Sequence, residues 1–459
     1  MKIDNLNMKK YHFIAVGGAV MHQMAILLKK QGNHVSGSDD AIFDPAKSNL
    51  QKFGILPLEL GWNENVITSD LDCIILGMHA RADNPELIKA KALNIPVYSF
   101  PEFIFNQSID KKRIVVGGSH GKTTTTAMII HALKAQNIQF DYLVGSKLDD
   151  LDFMVDLNPE NKIIVIEGDE YLSSPIDLRS KFLHYKPHIA IITGIAWDHI
   201  NVFPTFESYL DTFKLFMESV SDTLILNNED AELLNLEKKT DINCDLIHYE
   251  TLPFDINEGL TTIQFSNKNY ALKIFGKHNI SNMASAMHAC KAIGISENDF
   301  LESMQSFGGT AKRLEKIYEI PEKKCTVYRD FAHAPSKVKA TVAATREQFP
   351  TRKLIAIFEL HTFSSLQTDF LNEYKKSLEG ADFASVYIDD EALAIKRMER
   401  HSQSQLLQAF DYENLEILNQ KEDILNFMDK MPMENCVYLL MSSGHLGGLN
   451  FVKWFSEKN

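Results

Sequence analysis

Cysteine is scarce: Cys73, Cys244, Cys290, Cys325 and Cys436 are the only five in 459 residues, they lie far apart, and no CxxC pair occurs. That excludes a disulfide framework and a cysteine-based zinc site, and it fits reduced, buried thiols in a reducing compartment. Basic residues are outnumbered, 47 Lys and Arg against 61 Asp and Glu, for a formal net charge of -14. Such a chain does not coat nucleic acid or anionic membrane non-specifically, so an anionic ligand needs a cradle of its own. Long apolar runs are missing too. The opening MKIDNLNMKKYHFIAVGG has a short apolar stretch that runs straight into glycines, which supports neither a signal peptide nor a membrane span. A cytoplasmic protein without nucleic-acid or membrane partners is expected. Pro and Gly form no linker cluster, and there is no internal repeat or low-complexity tract.

What is present is a rhythm. A chain of 459 residues, 45% hydrophobic and 24% charged, suggests two to four ordinary domains. From His12 to about Phe105, the apolar runs FIAVGG, HVSGSD, DCIILGM and IPVYSF alternate with helical patterns over 21–31, 46–53 and 85–92. That alternation is the mark of a parallel sheet with crossover helices. A second unit opens at Arg113 with RIVVGG and continues through KIIVIEGDE, HIAIITGI and TLILNN. Helices are predicted over 280–293 and 297–306. A third unit starts near Thr310, with strands in TVYRDFAHAP, KLIAIFELH, FASVYID and CVYLLMSSG and helices over 337–348 and 366–378.

The most informative stretch is IVVGGSHGKTTTTAMIIHAL, Ile114 to Leu133. A β-rich run enters Gly118-Ser-His-Gly121-Lys122-Thr123, and a helical pattern follows. Glycines let backbone amides turn inward, and a helix N-terminus adds partial positive charge, so the segment reads as a phosphate loop. Lys122 would reach the β- and γ-phosphates, and Thr123 or its neighbour Thr124 would ligate Mg²⁺. The general pattern is imperfect, because Val115 or Val116 stands where the first glycine belongs. Downstream, IEGDEY closes an apolar strand with Glu167, Asp169 and Glu170, and carboxylates at such a strand end suit Mg²⁺. A further strand ends in Asp198-His199. In a parallel sheet the three ends converge on one crevice.

Together these residues resemble the Mur ligase family of ATP-dependent amide-bond ligases in peptidoglycan assembly. The resemblance covers essentially the whole chain. It rests on GGSHGKTTTT, IEGDE, Trp197-Asp198-His199, Gly276-Lys-His278-Asn-Ile-Ser-Asn282, Gly309-Thr-Ala-Lys-Arg313-Leu-Glu315 and Asp330-Phe-Ala-His333-Ala-Pro335. It implies an α/β chain of three domains: a Rossmann-like UDP-sugar-binding domain over 1–108, a central phosphate-loop ATPase-like domain over 109–309, and a Rossmann-like C-terminal ligase domain over 310–459. Within the family, GNHVSGSDD and GMHARADNPE resemble the branch of muramate:L-alanine and murein-peptide ligases. The segment EYLSSPIDLRSKFLHY, Glu170 to Tyr185, is similar to the murein-peptide ligases.

The resemblance therefore implies that the lactyl carboxylate of UDP-N-acetylmuramate attacks ATP to give an acyl phosphate. The amine of L-Ala-γ-D-Glu-meso-diaminopimelate then captures it, in peptidoglycan recycling. Free L-alanine as acceptor is the alternative, and a non-catalytic nucleotide-binding paralogue is another. By the same carry-over, Lys122, Glu167 and His199 are catalytic. Gly118, Ser119, His120, Gly121, Lys122, Thr123, Thr124, His278, Asn282, Arg313 and Asp330 bind ATP. Thr123, Glu167 and His199 hold Mg²⁺, joined by Lys214 if it is carbamylated, since it lies fifteen residues beyond His199 (214 minus 199). Carbamylation needs an uncharged, enclosed amine. Gly17, Gly18, Ser38, Asp39, His79 and Asn84 contact the UDP-sugar, and His333, His361 and Ser443 the peptide. Arg313 and Lys122 fall in different predicted domains, so closure on the nucleotide is expected, in a monomer or weak homodimer.

Several positions depart from the family pattern. Ala15 stands where a glycine is usual and His22 where a small residue is. Arg329 replaces the first of two aspartates, and Ala334 a second histidine. Phe358-Glu-Leu-His361-Thr-Phe-Ser-Ser365 lacks the arginine expected to clasp the acceptor carboxylate.

Overall fold

The computed structural model describes residues 8–148, 151–174, 176–197 and 202–458. The chain divides into two compact units: one is the chain up to Glu250 together with Asn282–Ser303, the other Thr251–Ser281 together with Met304 onwards.

The first unit carries two parallel sheets. Strands β1 (Lys10–Ile14), β2 (His34–Ser38), β3 (Cys73–Leu76) and β4 (Val97–Ser99) form a sheet of order β2-β1-β3-β4. It is crossed by α1 (Ala19–Lys30), α2 (Ala46–Lys52) and α3 (Pro85–Ala92), and α4 (Phe100–Asn106) follows it. The larger sheet is made from β5 (Lys112–Gly117), β6 (Asp141–Leu143), β7 (Val155–Asp156), β8 (Ile163–Glu167), β11 (Ile189–Ile192), β12 (Thr223–Asn227) and β13 (Asp245–Tyr249), in the order β13-β12-β11-β5-β8-β6-β7. Only β7 runs antiparallel to its neighbour. The hairpin β9 (Leu172–Ser174) and β10 (Asp177–Ser180) and the single turn of α6 (Lys181–His184) are inserted between β8 and β11. Helices α5 (Lys122–Ala135), α7 (Phe206–Glu218) and α8 (Ala231–Glu237) complete the layers. Ile114, Val115 and Val116 are wholly buried, as an apolar β-branched run covered on both faces must be.

The second unit holds an antiparallel sheet of β14 (Asp255–Asn257), β15 (Leu260–Phe265) and β16 (Lys268–Leu272). The helices α9 (Lys277–Ala292) and α10 (Glu297–Met304) follow, and the division between units falls within α9. A six-stranded sheet uses β17 (Glu315–Ile320), β18 (Cys325–Asp330), β19 (Lys353–Glu359), β20 (Phe383–Tyr387), β21 (Leu415–Leu418) and β22 (Cys436–Met441), in the order β17-β18-β22-β19-β20-β21. Helix α11 (Pro335–Gln348) follows β18.

The strands expected from the sequence are present; further elements appear beside them, and three differences bear on the second unit. The sheet β14–β16, whose alternation is polar and short, was not anticipated. It packs within the second unit: Thr261 Oγ1 donates to Gln348 Oε1 at 2.9 Å, and a Cβ on Gly276 would meet the Ala344 methyl at 2.8 Å. The helix expected over 366–378 is broken into 3-10 turns around α12 (Thr368–Leu371). Tyr374 is fully buried there against Phe358 and Phe410, and its hydroxyl donates to the His333 carbonyl, which holds the chain out of a regular helix. Third, β17 pairs antiparallel to β18 at the sheet edge.

The smaller sheet of the first unit encloses a polar knot. His12 Nδ1 meets Ser36 Oγ at 2.8 Å and its Nε2 meets Glu86 Oε2 at 3.2 Å. Ser38 Oγ donates to Glu86 Oε1 at 2.7 Å, and the Asn63 amide donates to the same oxygen at 2.8 Å. Asn84 caps α3 by accepting from the Glu86 and Leu87 amides. Burial alone would raise the Glu86 carboxyl, but the bonds from His12, Asn63 and Ser38 outweigh it and hold it below its usual 4.5. A depressed carboxylate contributes stability that is present above its unfolded value and lost as pH falls through the folded one. Glu86→Gln should therefore cost about 1–3 kcal/mol at pH 7, and the penalty should shrink below pH 4.5. Urea unfolding of both proteins at pH 7 and in mild acid, followed by Trp62 fluorescence in a Trp197→Phe, Trp454→Phe background, measures this.

Candidate active site

In the first unit the site is built where β5, β8 and β11 end side by side. The chain leaves β5 through Gly118, at φ 125°, and reaches α5 through Gly121, at φ 81°. Both angles favour glycine, and space demands it as well. A Cβ on Gly118 would lie 2.1 Å from Thr193 Oγ1, and one on Gly121 2.2 Å from Asn282 Oδ1. The loop is tied to the end of β11: the Ser119 amide donates to the Gly194 carbonyl at 2.9 Å, and Thr193 Oγ1 donates to the His120 carbonyl. Ser119 Oγ pairs with Tyr209 Oη at 2.8 Å and accepts from the Ala196 amide at 2.8 Å. Gly121 has no side chain with which to cap α5, so the first-turn amides face the loop as an anion-binding end.

The carboxylates gather against this loop. Thr123 Oγ1 donates to Glu167 Oε1 at 2.6 Å, and the Gly145 amide donates to Oε2 at 2.8 Å. Burial first, then the charge of Asp169, raise the Glu167 carboxyl above its usual value despite those two donors. Lys122 Nζ donates to the Gly118 carbonyl and to Glu170 Oε2, each at 2.7 Å, and Glu170 is wholly buried. Burial would push the Lys122 ammonium down, but Glu170 and then Asp169 push it up and win, so it stays charged. Hard oxygens from Thr123 and Glu167 with Asp169 beside them suit a Mg²⁺ ion, and the cramped glycine loop suits a phosphate chain. Asn282 leans on Gly121, so the structure brings it to the phosphate loop. His199 lies outside the described residues.

Other expected residues are placed differently. Lys214 is 40% exposed on α7 and faces Glu218 at 4.0 Å, so the enclosure that carbamylation needs is not met. Ser38 Oγ donates to Glu86 within the polar knot, and Asn84 Oδ1 caps α3. Asp39 Oδ2 accepts from the Gly17 amide at 2.7 Å, and a Cβ on Gly17 would lie 2.9 Å from that oxygen. Asp39 thus shapes the first glycine turn. Gly18 is the N-cap of α1, and His79 is exposed.

In the second unit, strand ends again collect polar groups. Asp330 accepts from the Leu314 and Ala332 amides, each at 2.7 Å, and from Thr341 Oγ1 at 3.5 Å. Burial raises its carboxyl, with the Arg313 charge opposing. These bonds position the loop that carries Arg313. Arg313 stacks over Phe331, 5.2 Å from the ring centroid. His278 is exposed on the first turn of α9. His333 Nδ1 is 2.8 Å from the Phe331 carbonyl. At the end of β19, Glu359 Oε2 accepts from Ser442 Oγ and from the Leu446 amide at 3.0 Å, while His361 Nδ1 stands 3.7 Å from Oε1. His361 Nδ1 and Ser443 Oγ are buried without hydrogen-bond partners.

Sequence reasoning missed Glu170 as the partner of Lys122, along with Tyr209, Thr193 and Glu359. Glu359 was findable, because FELH closes a strand with a carboxylate as IEGDE does. Tyr209 carried no signal, since in FESYLDTFKLF it reads as core.

Three family models match successive parts of the chain: the Mur ligase family, catalytic domain over residues 10–108, the Mur ligase middle domain over 116–290, and the Mur ligase, glutamate ligase domain over 312–444. A UDP-N-acetylmuramate--L-alanine ligase from Caldicellulosiruptor bescii is 33% identical over 398 residues, covering 82% of each chain. The crystal structure of the UDP-N-acetylmuramate-alanine ligase MurC from Thermotoga maritima superposes with a TM-score of 0.72 at 22% identity, covering 98% of this chain and 100% of that one. A murein peptide ligase structure from Psychrobacter arcticus gives 0.61 at 21% identity, covering 98% and 99%. At that identity the two structures bear on the fold alone. The expected particular closeness to murein-peptide ligases is not supported.

Lys122→Ala, which leaves Glu170 buried without its cation, should lower ATP-dependent turnover by about 10²–10⁴-fold. Steady-state kinetics beside a circular dichroism spectrum separates lost chemistry from lost fold; full activity would remove the phosphate-loop assignment.

Proposed function

The chain belongs to the Mur ligase family, and from that premise we propose that it joins UDP-N-acetylmuramate to L-alanine at the expense of ATP. Members of the family are ATP-dependent ligases of peptidoglycan synthesis. The observation that carries the nucleotide half is the glycine loop with Lys122 beside Thr123 and the buried Glu167. The choice of L-alanine rests on relatives that bear that activity in their names, at up to 33% identity. It takes the place of the tripeptide expected from the sequence.

In this reading residues 1–108 hold the UDP-sugar, 109–309 the ATP, and 310–459 the acceptor amine. The lactyl carboxylate attacks the γ-phosphate, ADP leaves, and an acyl phosphate forms. The amine then attacks the acyl carbon, loses a proton and expels phosphate. Two anions must meet for the first step, so Lys122 turns from Glu170 to the triphosphate, and the first-turn amides of α5 hold its oxygens. Thr123 and Glu167, with His199, would hold Mg²⁺, which supplies neutralisation of the phosphate charge. The backbone of Gly17 and Gly18, shaped by Asp39, takes the UDP diphosphate. Arg313, His278 and Asn282 serve the nucleotide, with Asp330 holding the loop of Arg313. Ser443, whose hydroxyl lacks an internal partner, and His361, beside Glu359, meet the acceptor carboxylate in place of an arginine, with His333 joining them from the loop after β18.

A second reading keeps the tripeptide as acceptor. It is favoured by the segment Glu170 to Tyr185, which folds into the β9–β10 hairpin and α6 rather than a plain turn. Phosphate release from ATP with UDP-N-acetylmuramate, comparing L-alanine with L-Ala-γ-D-Glu-meso-diaminopimelate, decides. L-alanine alone should support turnover; turnover with the tripeptide alone transfers the protein to the recycling branch.

A further inference from the structure

The hairpin inserted after β8 brings a second set of ligand-type side chains together, away from the phosphate loop. Asp177 opens β10, His184 closes α6, and Glu102 stands in the first turn of α4. One ligand atom of each lies within 4.8 Å of the other two. His184 is the informative member. Its side chain is 4% exposed and its Nε2 is buried without a hydrogen-bond partner, 3.3 Å from Asp177 Oδ2. A buried imidazole nitrogen aimed at two carboxylates is an unused ligand position. Glu102 Oε2 is taken by the Ser99 amide at 2.9 Å and by Ser99 Oγ at 3.0 Å, which orients Oε1 toward the cluster.

Arg179 presently supplies the positive charge. Its Nη2 lies 2.6 Å from Asp177 Oδ2 and 3.4 Å from Glu102 Oε1. Its side chain is 60% exposed, so this is a solvent-screened contact that a cation of higher charge can replace. Although it lies beside both carboxylates, Arg179 makes no hydrogen bond to His184 Nε2, which stays without a partner.

We propose that Glu102, Asp177 and His184 form a binding site for a divalent transition metal of the zinc class, which Arg179 occupies as a stand-in cation when no metal is bound. One imidazole and two carboxylates are an acceptable donor set for Zn²⁺, with a fourth position left for water. Burial, and then the Arg179 charge, lower the His184 proton affinity, so the imidazole is neutral and ligand-competent at pH 7. The consequence is mechanical. The metal would tie the hairpin and α6 to α4, fixing the inserted segment on the helix that follows the smaller parallel sheet. This goes beyond the ligase reading and does not depend on it, since none of the three residues belongs to the phosphate-loop cluster.

The test is calorimetric titration of ZnCl₂ into the full chain, in a Glu167→Gln background that removes the phosphate-loop carboxylate. Arg179→Ala should tighten a one-equivalent site by at least about tenfold, because the competing cation is gone, and misfolding does not produce a gain of affinity. Adding Asp177→Asn or His184→Ala to Arg179→Ala should weaken that site by on the order of 100-fold. Cobalt substitution should give a visible d–d band that disappears with His184→Ala. A stoichiometric site that is absent from Arg179→Ala, or that survives His184→Ala unchanged, overturns the proposal.

Discussion

Several carboxylates and a lysine are brought to one point in the first unit by the pairing of β5 with β8 on one side and β11 on the other. The registers place Val116 beside Glu167 and Gly117 beside Ile192, so three strands end at the same level. Everything chemical in that unit follows from this alignment. The glycine loop, the acidic end of β8 and Thr193 after β11 are distant in sequence and meet only because parallel strands share a carboxyl edge. Buried carboxylates in such an edge must be compensated. Glu167 is met by Thr123 and the Gly145 amide, and Glu170 by Lys122 and Tyr209. The site therefore keeps its buried charges in internal pairs.

The second unit uses the same device with different contents. Strand β22 lies between β18 and β19, so Asp330, Glu359 and Ser442 come from the ends of three adjacent strands. Asp330 is saturated by its own loop. Glu359 is drawn below its usual value because, although burial opposes ionisation, His361, Ser442 and the Leu446 amide together outweigh it. The hydroxyl of Ser443, buried without a partner, is left to recognise something else.

Departures from the family pattern are absorbed locally. Ala15 adopts φ 64°, a left-handed conformation costing an alanine about 1–2 kcal/mol, and its amide and that of Val16 both donate to the Ser38 carbonyl. His22 spends its Nδ1 on the Gly18 carbonyl at 2.8 Å, bracing the start of α1. Arg329 pairs with Glu315 at 2.8 Å across the β17–β18 ladder, so an exchange of charge at one position is answered by its cross-strand neighbour.

The parallel α/β architecture, the glycine-rich loop between β5 and α5 and the acidic strand end were legible in the amino-acid sequence by itself. Buried parallel strands must be apolar runs, and a loop that wraps phosphate must be glycine-rich and followed by a helix. These are local demands, written in consecutive residues. Which polar side chains are spent on the fold and which remain free was decided only by tertiary structure. Ser38 and Asn84 look like ligand contacts in the chain and serve Glu86 and a helix cap; Lys214 looks like a metal ligand and faces Glu218; Tyr209 looks like core and touches the loop. The partners of Ser38 and Tyr209 depend on strand order and register, which bring together residues 48 and 90 positions apart, and no local pattern carries that information.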